Sequence, residues 1–335
     1  MNYETLFKLG VSVGIENDPR GKQAVERTLE LNKKAFEALK ENEVDYFDPV
    51  SLWNPYPDSR IQAGDLEKDI KHIYVGIDIG VGDLLLVDRL IQKGIPVDAV
   101  LSHHPSGMGI IGLPGVMAIQ ADLLSLMGVP INIAESIVGA RQKEVDQNVY
   151  AANHYHTADA AKLLGLNLFS LHTPADNCVV TFLTKLIAEK KPETVDDLMK
   201  VVLEVPEYDH AKRRGLPPKI ENGSASNRLG KVVVEMTGGT TGSKEAYEHM
   251  SKSGVGTLVV MHIPKDHVEM CQKYHINVIN FGHMASDSLG MNVLLDRFET
   301  NGVKFTTGSG MVRINRNQAD PYGSLKCPMP SSYLR

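Results

Sequence analysis

A strand, a helix and a second strand follow one another between residues 72 and 102, and this order constrains the fold more than any other feature of the chain. Residues 72–79 are a short run rich in β-branched side chains, and Gly80 and Gly82 turn the chain after it. Residues 83–92 have the periodicity of a helix, and residues 96–102 are a second apolar run. A strand–helix–strand unit of this length implies parallel strands joined by a right-handed crossover. The sequence therefore predicts an α/β protein.

The same alternation continues on both sides of a segment of different character. Residues 1–45 have a helical pattern, and residues 186–228 are richer in proline, with one short predicted helix at 195–203. The remaining expected helices are 115–127, 147–164, 243–252, 265–274 and 286–298. The remaining expected strands are 130–134, 168–171, 232–236, 257–261, 277–281 and 304–307.

A chain of 335 residues is long for one compact core and natural for two. We therefore expect a first α/β domain over residues 1–185, completed by residues 290–335. Residues 186–228 are predicted to be a linker or insertion, and residues 229–289 a second α/β domain.

Composition and charge exclude several classes of protein. Hydrophobic residues make up 42% and charged residues 23%, which excludes a disordered or fibrous chain. The net charge of −6 gives no global attraction to nucleic acid or to anionic membranes, and no apolar run is long enough to span a bilayer. Cys178, Cys271 and Cys327 lie far apart with no CxxC pair, which argues against disulfides and a thiolate zinc site. With no secretory signal pattern at the N-terminus, the expected compartment is the cytoplasm.

Three short motifs occupy the same place in this alternation, since each comes where a predicted strand ends. They are Ser102-His-His-Pro105, His172-Thr-Pro-Ala-Asp176 and Gly282-His-Met-Ala-Ser-Asp287. In open α/β sheets ligands bind beyond the carboxyl ends of the strands, so the three motifs are expected to converge on one crevice.

The residue types in these motifs favour a metal site. In two of the motifs a histidine and an aspartate are four residues apart, so both face the same side of a first helical turn. Imidazole and carboxylate together suit Zn, Mn, Fe, Co or Ni. Four histidines and two carboxylates are too many for one structural zinc and suit two ions with positions left open for water. The alternative is that each histidine is a hydrogen-bonded residue of the core or of a loop.

Taken together, the motifs resemble the Nif-three-like dinuclear-metal family, whose members often carry the name GTP cyclohydrolase 1 type 2. The resemblance runs from about residue 54 to residue 310 and also includes Val75-Gly-Ile-Asp78. It implies two α/β domains with a dinuclear metal site in the cleft between them, and a toroidal homo-hexamer. The family's sixth ligand is a glutamate at the position held here by Asp287. The metal ligands that the resemblance implies are His103, His104, His172, Asp176 and His283, with Asp287 as the sixth.

Other residues near the predicted strand ends are weaker candidates. Asp78 could orient a ligand histidine or cap the following helix, and His262 and His267 could contact the substrate or support the ligands. Each of these two histidines could equally be a surface group. The glycine-rich stretch that contains Gly239, Thr240, Thr241 and Gly242 departs from the Walker pattern, but it could bind an anion or be a plain structural turn.

The reaction class that fits these residues is metal-dependent hydrolysis. Two divalent ions per chain would activate a metal-bound water, so no protein nucleophile is required. The expected substrate is a small molecule, nucleotide-like or heterocyclic, and no nucleic-acid or membrane partner is expected. Two alternatives stay open: ring opening of GTP, suggested by the family label, and a non-catalytic metal-binding role in regulation or as a scaffold.

Overall fold

The computed structural model describes residues 1–317, so Cys327 and residues 318–335 of the predicted first domain lie outside the described residues. Within residues 1–317 the chain forms fourteen α-helices and nine strands. The strands are Ile61–Ala63 (β1), His72–Gly76 (β2), Ala99–Ser102 (β3), Leu168–Ser170 (β4), Lys219–Asn222 (β5), Lys231–Glu235 (β6), Val255–Val260 (β7), Asn277–Asn280 (β8) and Lys304–Thr307 (β9).

The helices alternate with these strands, as the sequence predicts for an α/β protein. They are Tyr3–Glu16 (α1), Lys22–Glu37 (α2), Val81–Gln92 (α3), Gly107–Ile111 (α4), Leu113–Val116 (α5), Ala118–Met127 (α6), Ile131–Tyr150 (α7), His156–Leu164 (α8), Thr173–Lys190 (α9), Val195–Val202 (α10), Pro206–Arg213 (α11), Ala246–Lys252 (α12), Lys265–Lys273 (α13) and His283–Glu299 (α14). Short 3-10 helices cover Glu41–Tyr46 and Pro49–Leu52.

The strands form two mixed sheets. The five-stranded sheet has the order β1-β4-β3-β2-β9, and the four-stranded sheet has the order β5-β8-β7-β6. In each sheet one edge strand is antiparallel, β1 beside β4 and β5 beside β8, while the other pairs are parallel. The strand–helix–strand unit identified in the sequence is β2-α3-β3. Strand β5 lies within residues 186–228, and the predicted domain boundaries stay a prediction.

Helices α9 and α14 lie between the two sheets and pack against each other. One face of each helix contributes to the core of the five-stranded sheet, through Cys178 and Leu295 among others. The opposite face contributes to the core beside β7 and β8, for example through Leu183 and Leu289. Residues 173–180 of α9 are all buried, as expected for a helix covered on both sides. Both helices begin beside a strand end, so their first turns meet at one place.

The strand predicted at residues 130–134 is wrong, because these residues begin helix α7. The alternation of Ile131 and Ile133 with polar neighbours resembles a strand over five residues only. Over the whole helix, Ala134, Ile137 and Val138 are buried at helical spacing against the core of the four-stranded sheet. The longer pattern therefore determines the structure.

Among the helices of residues 1–317, none combines the length and the apolar character needed to cross a membrane.

Candidate metal centre

His103 and His104 follow directly after β3, where the ladder with β2 continues for two more residues. The backbone N–H groups of His103 and His104 donate hydrogen bonds to the carbonyl oxygens of Gly76 and Ile77, at 3.0 and 2.9 Å. The two imidazole centroids are only 4.9 Å apart, so the side chains of these neighbours do not point to opposite faces as in a regular strand. Both rings can therefore contribute to one site.

His172 and Asp176 lie at the junction of β4 and α9. His172 is the N-cap of the helix, and Pro174 in its first turn has the backbone angle that a helix start favours. The four-residue spacing places His172 Nε2 3.9 Å from Asp176 Oδ2, and both side chains are buried.

His283 and Asp287 form the equivalent pair at the start of α14, directly after β8. Gly282, the N-cap residue, has φ of 99°, a left-handed conformation that glycine adopts without strain. The turn that Gly282 makes brings His283 Nε2 to 3.3 Å from Asp287 Oδ2. Asp287 is 1% exposed, whereas His283 is partly open to solvent.

The three strand ends bring all six predicted ligand side chains into one cluster. His103 Nε2 is 3.6 Å from both Asp176 Oδ1 and Asp287 Oδ1, and His104 Nε2 is 3.5 Å from Asp287 Oδ2. Donor atoms bound tetrahedrally to one Zn²⁺ at the usual bond lengths would be about 3.3 Å apart, so these separations suit a metal ion. Three sets of ligand atoms lie within 4.8 Å of one another: His103, His104 and His172; His104, His283 and Asp287; and His103, Asp176 and Asp287.

The histidines are oriented by acceptors behind them. His172 Nδ1 is 2.8 Å from Asp58 Oδ2, and His104 Nδ1 is 2.7 Å from Asp78 Oδ1. A histidine that binds metal commonly donates its other ring nitrogen to a carboxylate in this way, which leaves Nε2 free for the ion. Asp58 is not among the predicted site residues, because it lies in the proline-rich turn before β1 and has no spacing relation to the motifs.

Three buried atoms of the cluster have no hydrogen-bond partner within residues 1–317: His103 Nε2 and both carboxylate oxygens of Asp287. Unsatisfied buried polar atoms are rare and unfavourable. These atoms are nitrogen and oxygen donors of the kind that divalent transition metals prefer, so the residues fit a metal site.

Burial and mutual charge set the protonation of the metal-free cluster. Burial opposes a charge on His103, but the carboxylates of Asp287 and Asp176 outweigh it and raise the pKa of this imidazole. Burial would raise the pKa of Asp287 as well, but the positive charge on His103 lowers it instead. Burial raises the pKa of Asp176 well above its usual value, and burial together with the charge on His103 lowers the pKa of His104 to about 4. A metal ion must therefore displace protons from His103 and Asp176.

The weaker candidates lie at different places. Asp78 contacts His104, as described above, and the ring of His262 lies 4.7 Å from that of His283. His267 instead pairs with Tyr247, whose Oη is 2.9 Å from His267 Nδ1.

The glycine-rich stretch is held by side chains of helices α6 and α7. Gln120 Nε2 donates hydrogen bonds to the carbonyl oxygens of Gly238 and Thr240, at 2.8 and 2.7 Å, and Arg141 Nε donates to that of Thr241. The following helix, α12, begins only at Ala246, so the predicted helix start at residue 243 is wrong. These contacts fix the loop as one wall of a cavity.

This cavity, of about 250 Å³, opens beside the cluster. His103, His104, His172, Asp176 and His283 line it at one place. The loop that contains Gly239, Thr240, Thr241 and Gly242 lines it at another, together with His262. A small molecule in this cavity would lie against the metal ligands.

The fold and the cluster define a class of α/β proteins in which two mixed sheets enclose a buried group of histidines and aspartates that could hold a metal ion. No protein-family model and no curated protein matches the sequence. Among solved structures the chain is similar to a NIF3 superfamily protein from Sphaerobacter thermophilus. The two are 27% identical, the match covers 76% of this chain and 92% of that one, and the TM-score is 0.67.

The chain is also similar to HcgD from Methanocaldococcus jannaschii in its reduced form, at 13% identity over 79% of this chain and 94% of that one, with a TM-score of 0.49. The likeness to the Sphaerobacter protein confirms the resemblance that the motifs indicate. The chain has a Nif-three-like fold.

Proposed function

We propose that the chain is a divalent-metal-dependent hydrolase with two ions per chain, held by the six side chains of the cluster. The observation that carries this proposal is the buried, unpartnered carboxylate of Asp287 among histidine nitrogens, beside a cavity of small-molecule size. Zn, Fe, Mn, Co and Ni all suit this set of donors.

Asp287 would contribute to holding both ions. Its Oδ1 lies 3.6 Å from His103 Nε2, while its Oδ2 faces His104 and His283, at 3.5 and 3.3 Å. The two oxygens thus belong to different sets of ligand atoms.

Two divalent ions at this place would lower the pKa of a water molecule toward neutrality and polarise a substrate oxygen. The residues of the chain hold and orient this centre: Asp58 and Asp78 fix the ring positions of His172 and His104. Within residues 1–317 no cysteine is proposed as a nucleophile, because burial raises the pKa of the Cys178 and Cys271 thiols, the latter to about 12. We assign substrate contact to His262, whose ring lies beside His283 and faces the same cavity.

The proposed substrate is a small molecule, nucleotide-like or heterocyclic, and the proposed setting is a cytoplasmic homo-oligomer, a hexamer by family resemblance. Ring opening of GTP is the alternative that the usual name of the family suggests. Among residues 1–317, the side chains that line the cavity include no lysine or arginine for a triphosphate. A triphosphate would therefore have to be neutralised by the metal ions, and GTP ring opening is kept as the alternative.

The test combines metal analysis with hydrolysis assays. The purified chain is loaded with Zn, Mn or Fe, its metal content is measured by mass spectrometry, and phosphoesters, cyclic amides and GTP are offered as substrates. We expect about two ions per chain, the number that six ligands suit, and hydrolysis that is lost in the variant carrying both His104→Ala and Asp176→Ala. His156→Ala, at an exposed position of α8, is the matched control.

Hydrolysis that survives in the double variant would refute the proposal. Tight binding of metal without turnover on the whole panel would instead support the non-catalytic alternative, in which the centre serves a regulatory or scaffold role.

A further inference from the structure

A second polar wall of the cavity is made by residues outside the six proposed ligands. Glu235 is the last residue of β6, and Gln120 lies in α6. Both side chains line the same cavity as the cluster. A molecule that reaches the metal ligands is therefore also in reach of these two side chains.

The oxygens of Glu235 and Gln120 converge on one point of the loop. A Cβ atom added to Gly242 would lie 2.9 Å from Gln120 Oε1 and 3.4 Å from Glu235 Oε1. The amide nitrogen of Gln120 is already engaged by the carbonyl oxygens of Gly238 and Thr240, which fixes the orientation of the amide. Its oxygen is left as an acceptor, so the oxygens of Gln120 and Glu235 both lie beside Gly242.

The carboxyl group of Glu235 has no hydrogen-bond or ion-pair partner within residues 1–317, and its Oε2 is buried. Burial raises the pKa of this carboxyl to about 7. A buried carboxyl without a donor is unfavourable, and native proteins supply a partner from the chain, from water or from a ligand. Because Glu235 lines the cavity, a ligand can be that partner.

The rest of the lining indicates the charge of the ligand. Within the described part of the chain, no lysine or arginine borders the cavity, and much of its surface comes from apolar side chains such as Ile110, Leu113 and Ile263. At Glu235 an anionic group would meet a carboxyl, with no lysine or arginine of the described residues in the lining to bind it. A flat molecule with N–H donors on one edge would satisfy both acceptors and bury its ring against the apolar walls.

We propose that Glu235 and Gln120 bind the donor edge of the substrate, and that this edge is an amidine-like N–C–N group of a small uncharged or cationic molecule. The inference rests on the proposed function, since it assumes that the bond to be hydrolysed faces the metal cluster. It narrows the substrate to cyclic amides, amidines and amino-substituted heterocycles.

Benzamidine is the probe that tests this wall, because it carries an N–C–N donor edge on a flat ring. Its binding is measured by calorimetry to the full chain, both metal-free and metal-loaded. We expect the dissociation constant to rise at least tenfold in Glu235→Gln, which removes the charge with little change of shape. Gly242→Ala is expected to weaken binding similarly, because its methyl group would fill the space between the two acceptors. Glu245→Gln, at an exposed position nearby, is the control and should bind as the parent chain does.

Equal benzamidine affinity in the parent chain and Glu235→Gln would overturn the inference. So would competition between inorganic triphosphate and benzamidine in the metal-free protein, because that would identify an anion site. A chain that binds two ions and hydrolyses substrates but ignores benzamidine would refute this inference alone. A chain that binds benzamidine through Glu235 but takes up no metal would refute the proposed function alone.

Discussion

At the scale of single residues, the candidate centre depends on side chains that orient the ligands as much as on the ligands themselves. Asp58 is fully buried and accepts hydrogen bonds from three neighbours: His172 Nδ1 at 2.8 Å, Thr173 Oγ1 at 2.6 Å and Ser59 Oγ at 3.2 Å. Asp78 contacts His104 at a similar distance, but its side chain is 69% exposed. Water can replace the exposed contact of Asp78 with His104, but it cannot reach the buried contact of Asp58 with His172. The two carboxylates are therefore not equivalent in orienting the ligands.

Asp58→Asn is therefore expected to weaken metal binding by about ten- to a hundredfold, the usual effect of removing a carboxylate behind a ligand histidine. Asp78→Asn, the matched exposed change, should weaken it by less. Competition with a chelator of known affinity measures both. Equal losses of metal affinity in the two variants would show that burial of the supporting carboxylate has no influence on metal binding.

Glu235 permits a prediction about stability and pH. Its folded-state pKa of about 7 lies above the unfolded value of 4.5, so between these values the folded state holds a proton that the unfolded state has released. Stability therefore falls as the pH rises from 4.5 to 7. Glutamine does not ionise, so Glu235→Gln should be more stable than the parent chain by about 3 kcal/mol at pH 8 and by less than about 1 kcal/mol at pH 5. Urea unfolding of the metal-free proteins at both pH values measures the difference, and a pH-independent difference would contradict the assignment.

At the scale of secondary-structure elements, the close packing of α9 on α14 brings the two aspartates together. Asp176 and Asp287 lie in the first turns of these helices, and Gly290 lies one turn further along α14. A Cβ atom at Gly290 would overlap the backbone carbonyl of Ala175, which precedes Asp176. Glycine is required here by the close approach of the other helix, since the position lies in the middle of a helix, where alanine is otherwise favoured.

Gly290→Ala is expected to destabilise the protein by about 1–3 kcal/mol through overpacking, in spite of the gain in helix propensity. Gly139→Ala is the matched control, because Gly139 lies within α7 and an added Cβ there meets no other atom within 4 Å. That change should stabilise the protein by up to about 1 kcal/mol. Equilibrium unfolding in urea measures both, and two changes of the same sign would show that the helix contact is not tight.

The elements that the sequence predicts correctly are those whose own residues show a clear periodicity or end at turn residues. The strand–helix–strand unit and the helices that follow the histidine motifs are examples, since periodicity and turn residues mark them. The strand expected at residues 130–134 is wrong because five residues were too few to distinguish the two periods. Helix α11 and strand β5 lie in the segment expected to be a linker, where proline and polar residues hid a short helix and an edge strand.

At the scale of the whole molecule, the convergence of the three motifs follows from a general property of parallel sheets, and for that reason the sequence could predict it. Strands β3 and β4 belong to one sheet and β8 to the other, so the cluster also joins the two sheets. Asp58, Gln120 and Glu235 could not be predicted in the same way. Their contacts depend on how the two halves of the chain pack, and they leave no spacing pattern in the sequence.

Because the cluster joins both sheets, metal binding should stabilise the whole fold and should depend on pH. An ion that binds only the folded chain adds about 2.7 kcal/mol when its concentration is a hundred times its dissociation constant. The carboxylates around His103 raise the pKa of its imidazole and burial raises that of Asp176, so both hold protons that the ion must displace. Affinity should therefore rise between pH 6 and pH 8, with protons released on binding.

The melting temperature of the metal-loaded chain is compared with that of the chelator-treated chain at pH 6 and pH 8, and calorimetry in buffers of different ionisation enthalpy counts the protons. We expect the metal-dependent gain in melting temperature to be larger at pH 8. Asp287→Asn should show almost no gain in melting temperature at either pH, because it removes the carboxylate that belongs to two of the three sets of ligand atoms. His156→Ala should keep the full gain. A gain that is the same at both pH values, without proton release, would mean that the ions bind to groups other than the buried cluster.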